Sequence, residues 1–161
     1  MNRNLVICIL IALNILLDQI SKFWVRASVI PGSKSEIIGN YLTLRNVENS
    51  GAFLGMGSDL NPTLRILLLL VAPILVMIYV LIHMFRNKDL DRLSVVGFSC
   101  IVGGGMANIF DRIVYGHVTD FLHIDLGGVF RTGIFNVADM SVMFGLGLLI
   151  LSSYTNKKTV S

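Results

Sequence analysis

Residues 135–154 read FNVADMSVMFGLGLLILSSY. The run is apolar enough to sit in lipid, yet it carries a carboxylate, Asp139, a few residues inside its start. An ionised side chain alone at bilayer depth costs about 2.5–3.5 kcal/mol on insertion scales, so Asp139 needs a partner or a task. Three other windows are comparably apolar, and each approaches the roughly 20 residues that cross a hydrocarbon core. The sequence therefore predicts spans at about 5–24, 64–85, 93–114 and 134–154. The fold class that follows is an all-α membrane protein, a four-transmembrane-helix bundle forming one domain over residues 1–161.

Composition points the same way. Of 161 residues, 54% are hydrophobic and 14% charged, against about 25% charged in an ordinary soluble domain. The formal charge of +3 comes from thirteen Lys and Arg scattered among apolar runs, not gathered into the stripe that nucleic acid requires. Cys8 and Cys100 lack CxxC spacing and read as small packing hydrophobes. Met1–Leu17 has the outline of a signal peptide, but Asp18-Gln19-Ile20-Ser21-Lys22 follows where small cleavage-site residues are needed, so a retained first span is expected.

Four spans place both termini on one side. Arg3, Arg86, Lys88, Arg92, Lys157 and Lys158 crowd the ends and the short loop between spans two and three, which makes that side cytoplasmic. The connection over 25–62 is too long for a turn, and Glu36–Arg45 (EIIGNYLTLR) alternates like two strands broken at Gly39-Asn40. A small extracytoplasmic β-rich subdomain between spans one and two is expected, followed by a glycine-rich loop over 48–55 pressed against other backbone. Pro73 should kink span two. Gly103-Gly104-Gly105 and Gly145-x-Gly147 should let helix backbones approach closely.

With spans one and three running outward and span four inward, Asp18, Asp111 and Asp139 fall near the outer ends of their helices. Asp120 joins them from Gly116-His117-Val118-Thr119-Asp120-Phe121, together with Ser21, Lys22, Asn49, Asn108, Arg112 and Asn136. A polar pocket at one level of an apolar bundle is a site by default. Blander roles exist: Asp18 and Lys22 form an i,i+4 pair that serves equally as a snorkelling anchor, and Asp111 beside Arg112 serves as a structural pair or loop cap. Asp120 and Asp139 have no adjacent cation. Two carboxylates held together in low dielectric share a proton, which supplies an acid and a base in one place without metal or nucleophile. His117, Asp120, His123 and Asp125 raise a zinc reading, but their spacing matches no site geometry, and no metal or cofactor is expected. Ser21, Ser50 and Ser141 lack a His on the same face for a serine mechanism.

Five stretches in this order resemble the bacterial lipoprotein signal peptidases, the type II signal peptidases: Asp18–Lys22, Asn49–Phe53, Gly103–Arg112, Val118–Phe121 and Phe135–Asp139. Ala107 departs from the glycine usual before Asn108. The resemblance covers essentially the whole chain and implies a four-span aspartyl protease of the inner membrane, its active site near the outer face. It further implies Asp120 and Asp139 as the catalytic pair, Asn108 and Asn136 as orienting groups, and Asp18, Lys22, Asn49, Gly51, Asp111, Arg112 and Ala138 as pocket support. The implied reaction is hydrolysis before the diacylglyceryl-modified cysteine of a prolipoprotein. The partners would be lipid-modified prolipoproteins and membrane lipid, with the enzyme a monomer. Rival readings are a small proton or ion transporter subunit using its membrane carboxylates, a lipid- or helix-binding scaffold, and a metalloprotease built on His117 and His123.

Overall fold

The computed structural model describes residues 2–51, 57 and 60–158, the last three by backbone alone. Ala52 and Phe53 of the second matching stretch, and Leu54-Gly55 of the expected loop, lie outside the described residues.

Four long helices carry the four apolar windows. Helix α1 (Arg3–Ser28) starts where the Asn2 side chain accepts from the Asn4 N–H at 3.1 Å. Helix α2 (Pro62–Arg86) opens on Asn61 as cap with Pro62 in the first turn. Helix α3 (Arg92–Tyr115) runs from the Asp91 cap to Gly116, whose φ of 78° is the left-handed conformation that ends helices. Helix α4 covers Val137–Lys158. Leu67–Val71, just before Pro73, is π-helical, a local adjustment beside a residue that donates no backbone bond.

Helix α3 is the centre, packing on α1, α2 and α4. Half of its apolar window is buried, against 17% or less in the others, whose large side chains face outward, as in Leu17, Leu75, Tyr79 and Phe144. Between apolar helices in lipid there is no hydrophobic drive, so close backbone approach has to supply the packing. A Cβ on Gly104 would collide with the Ala138 carbonyl, one on Gly145 with the Gly97 carbonyl, and one on Gly103 with Asn14 Cβ at 2.6 Å. Gly147 does not share this role: among the described residues nothing lies within 4 Å of its Cβ position. Cys100 is buried, whereas Cys8 faces outward from α1 instead of packing inside.

At one end of the bundle lies an antiparallel sheet of order β1-β2-β3-β4. Strands β1 (Lys34–Ile38) and β2 (Leu42–Asn49) are the expected hairpin, turning through Gly39 at φ 48°. Strands β3 (Val118–Asp125) and β4 (Arg131–Phe135) come from the connection between α3 and α4, so the sheet is not confined to the connection between the first two spans. Val118, Thr119, Asp120 and Phe121 are all buried. A strand covered on both faces loses the apolar–polar alternation by which strands are read, and this one carries an acid in its middle. Pairing sets Val47 opposite Asp120 and Asn49 opposite Val118.

The sheet end of the bundle is tied by buried charge. Lys22 Nζ lies 2.7 Å from Asp18 Oδ2 and 2.9 Å from Asp111 Oδ2, all three side chains fully buried. The i,i+4 pair is thus internal and not a snorkelling anchor. Asp18 Oδ1 also accepts from the Ala138 N–H at 2.8 Å, fastening the start of α4 to α1. Asp111 pairs with Lys22 and not with its neighbour Arg112, and its Oδ2 accepts from the Thr119 N–H at 3.3 Å, holding the start of β3. At the opposite end, Arg3 donates to the Met84 and Asn87 carbonyls, and Ser94 and Ser152 Oγ lie 2.9 Å apart.

Three substitutions test these contacts by reversible unfolding in detergent. Gly104→Ala should cost about 1–3 kcal/mol through overpacking, while Gly147→Ala should be close to neutral because its Cβ position is open. Lys22→Met, which leaves Asp18 and Asp111 buried without their ammonium, should cost about 3–5 kcal/mol.

Candidate active site

Asp139 is placed by its own helix start. The Asn136 Oδ1 accepts from the Asp139 N–H at 2.9 Å, and Asp139 Oδ2 accepts from the Asn136 N–H at 3.2 Å. This reciprocal cap satisfies two donors that an α-helix leaves unpaired, so the Asn-x-x-Asp spacing orients the carboxylate through local contacts. Asp120 is placed by β3, where pairing to β2 brings the Asn49 side chain within reach.

The two acids meet through amides. Asn136 Nδ2 donates to Asp120 Oδ1 at 2.6 Å while its oxygen caps Asp139, so one side chain touches both residues. Asn49 Nδ2 donates to Asp120 Oδ2 at 2.7 Å, and Asn108 Nδ2 donates to Asp139 Oδ1 at 3.0 Å. Each of the four carboxylate oxygens therefore accepts one bond from the described residues. Asn108 is itself oriented by Lys22 Nζ, which donates to its Oδ1 at 2.7 Å. The chain Lys22–Asn108–Asp139 runs from the buried charge cluster to the acid pair.

Asp120 and Asp139 line one cleft of about 260 Å³ with Asn49, Asn108 and Arg112, facing an apolar wall of Leu68 and Leu69 from the π-helical part of α2 and of Pro73 just beyond it. Burial lifts the Asp120 carboxyl from 3.8 to about 6, and the Asp139 carboxylate adds to the rise against the hydrogen bonds of Asn49 and Asn136. Asp120 thus keeps its proton to a higher pH than an ordinary carboxyl. Arg112 NH2 donates to the Gly51 carbonyl at 2.8 Å, and the Gly51 N–H returns to Asn49 Oδ1 at 2.8 Å, which fixes the chain leaving β2 against the cleft. The Arg112 Nε has no hydrogen-bond partner among the described residues.

The structure brings the expected residues together in two layers. Asp120, Asp139, Asn49, Asn108 and Arg112 line the cleft, and Asn136 bonds into it. Asp18, Lys22, Asp111 and Ala138 form the buried tie behind it. Ser21 takes no part, its Oγ turned back to the Asp18 carbonyl at 2.7 Å. His117 lies 3.7 Å from Glu48, and His123 Nδ1 lies 3.4 Å from the Gly133 carbonyl; among the described residues no three metal-ligating side chains gather.

Sequence reasoning did not single out Gln19 or Arg26. Gln19 Nε2 donates to Asp111 Oδ1 at 2.9 Å and to the Ala107 carbonyl at 3.3 Å. Arg26 donates to Thr119 Oγ1 at 2.9 Å and stacks over Tyr115 at 4.4 Å. The signal for Arg26 is the i, i+4, i+8 series Asp18, Lys22, Arg26 on one face of α1.

The profile of the signal peptidase (SPase) II family matches residues 10–155. A lipoprotein signal peptidase of Clostridium novyi (strain NT) is 32% identical over 143 residues, 89% of this chain and 93% of its own. One of Maridesulfovibrio salexigens is 29% identical over 157 residues, 98% of this chain and all of its own length. Among solved structures, a bacterial membrane enzyme superposes with a TM-score of 0.84 at 22% identity, over 97% of this chain and 92% of that one, which shows a shared fold. With a family match over nearly its full length and four helices fit to cross a membrane, the chain belongs to the signal peptidase II family, membrane proteases that cleave lipoprotein signal peptides.

Proposed function

We propose that the chain is an aspartyl endopeptidase of the bacterial cytoplasmic membrane, acting as a monomer, in which Asp120 and Asp139 hydrolyse the bond before the diacylglyceryl-modified cysteine of a prolipoprotein. The observation that carries this reading is that both carboxylates line one cleft while the Asn136 side chain links their residues, its Nδ2 donating to Asp120 Oδ1 and its Oδ1 accepting from the Asp139 backbone N–H. The pair holds one proton between them. The ionised member takes a proton from a water as that water attacks the scissile carbonyl, while the protonated member donates its proton to the carbonyl oxygen. As the tetrahedral gem-diol collapses, the first member passes its newly gained proton to the departing amine and the second takes a proton back from the gem-diol hydroxyl. Asn49 and Asn108 hold the carboxylates as acceptors in the cleft, beside the guanidinium of Arg112. Both termini lie in the cytoplasm, where Arg3, Arg86, Lys88 and Arg92 gather at the end opposite the sheet. The acid pair then sits near the outer face, where water reaches it.

Purified protein incubated with a diacylglyceryl-modified prolipoprotein should release the signal peptide, with the new N-terminus at the lipidated cysteine by mass measurement. Asp120→Asn and Asp139→Asn should each reduce cleavage about 10²–10⁴-fold or more with unfolding unchanged within a few degrees. Proton flux through reconstituted vesicles without any peptide cleavage would overturn the reading in favour of a transporter. The shared proton also sets a pH dependence. As pH rises through about 6 the free protein loses the Asp120 proton, so kcat/KM should fall on the alkaline side of that value. Substrate excludes water from the cleft, so the same limb in kcat should lie at higher pH. Asn49→Ala removes a donor that favours the charged form and should move both limbs upward.

A further inference from the structure

A second cavity also reaches Asp139. Phe130 and Phe135 from the β3–β4 hairpin, with Met140 and Met143 from α4, enclose about 390 Å³ whose polar margin is Thr132 and Arg131. The Arg131 guanidinium is already engaged, its NH2 and Nε at 2.7 Å and 2.8 Å from Asp125 Oδ2. We propose that this cavity is the slot for an acyl chain of the substrate's diacylglyceryl group, while the peptide on either side of the scissile bond lies in the polar cleft. The assignment rests on the peptidase reading given above.

The two cavities divide the substrate by chemistry. A peptide backbone carries a donor and an acceptor at nearly every residue, and burying them without partners is costly. The cleft of Asn49, Asn108 and Arg112 offers such partners; the Phe–Met cavity offers almost none, which suits hydrocarbon. Met140 and Met143 are half-exposed on the outward side of α4, so the cavity is continuous with the lipid-facing surface and a chain can enter sideways from the bilayer. Two thioether side chains give walls that adapt to the contour of an acyl chain. Asp139 lines both cavities, which puts the branch point of the substrate, the lipidated cysteine, beside the acid pair.

Photo-crosslinking tests the assignment. Asp120→Asn protein in phosphatidylglycerol nanodiscs would bind a prolipoprotein peptide whose cysteine carries diacylglyceryl with a diazirine in one acyl chain. Label should map to Phe130, Phe135, Met140 or Met143. Label on Leu68, Leu69 or Pro73 would overturn the proposal. In a second arm the diazirine is on phosphatidylglycerol, and excess unlabelled substrate should displace it from the cavity; labelling that substrate leaves unchanged would make the cavity a bulk-lipid site and overturn the proposal too. A kinetic arm uses Met143→Trp, which narrows the slot. KM for a dipalmitoyl substrate should rise about tenfold with kcat within twofold, and a dihexanoyl substrate should be affected less. Each methylene withdrawn from the slot is worth about fourfold in binding, and equal effects on both substrates would count against the assignment. Failure of the wild type to cleave any lipidated substrate would instead remove the peptidase reading, whatever the label showed.

Discussion

One ammonium group, that of Lys22, sits fully buried between two carboxylates and an amide, and the arrangement of the sheet end depends on it. Apolar helices in lipid gain nothing from hiding apolar surface, so what fixes one helix against another must be directional. Lys22 supplies direction to three elements: Asp18 on its own helix, Asp111 on α3, and through Asp18 the start of α4 at Ala138. Removing three charges from water costs several kcal/mol per ion, a cost that a helix bundle accepts only where the geometry is otherwise hard to specify. The same ammonium sets the Asn108 amide, whose other end meets Asp139. The structural tie and the acid pair are one connected polar network.

The acids reach each other from different kinds of element. Asp139 belongs to a helix start and is fixed by local capping with Asn136. Asp120 belongs to the middle of a buried strand and is fixed by pairing with β2. A helix end and a strand respond differently to strain, so a pair built from both keeps its separation only if something spans the join. Asn136 does this, since its oxygen and nitrogen face opposite partners. An aspartate at 136 would lose the donor, and a serine would lose the reach.

Much of this was legible in the residues. The four spans followed from hydrophobic length, because bilayer thickness leaves little freedom. Convergence of Asp18, Asp111, Asp120 and Asp139 followed from span direction, and the close approaches at Gly103, Gly104 and Gly145 from small-residue spacing. The strands over Val118–Asp125 and Arg131–Phe135 were not legible, since burial on both faces and the acid at Asp120 erased the alternation that marks a strand. Nor was the depth of Lys22: an i,i+4 ion pair looks the same in sequence whether it lies in headgroups or in the core, and only the partner from α3 tells them apart. Gln19 was hidden for a similar reason, its polar ends meeting groups about ninety positions away. The cavity of Phe130, Phe135, Met140 and Met143 is assembled from a hairpin and a helix that the residue pattern treats as unrelated.

The outward side chains of α1, α2 and α4, among them Leu17, Leu75, Tyr79 and Phe144, are half or more exposed, on helices long and apolar enough to cross a bilayer. Fluid hydrocarbon rewards an apolar side chain whatever its outline, so leucine, phenylalanine or valine serve there almost interchangeably. The inward glycines and the Asp–Lys–Asn network tolerate no such exchange. Descendants of this chain should therefore drift at two tempos, quickly over the oily exterior and scarcely at all along the narrow seam where α3 meets its neighbours.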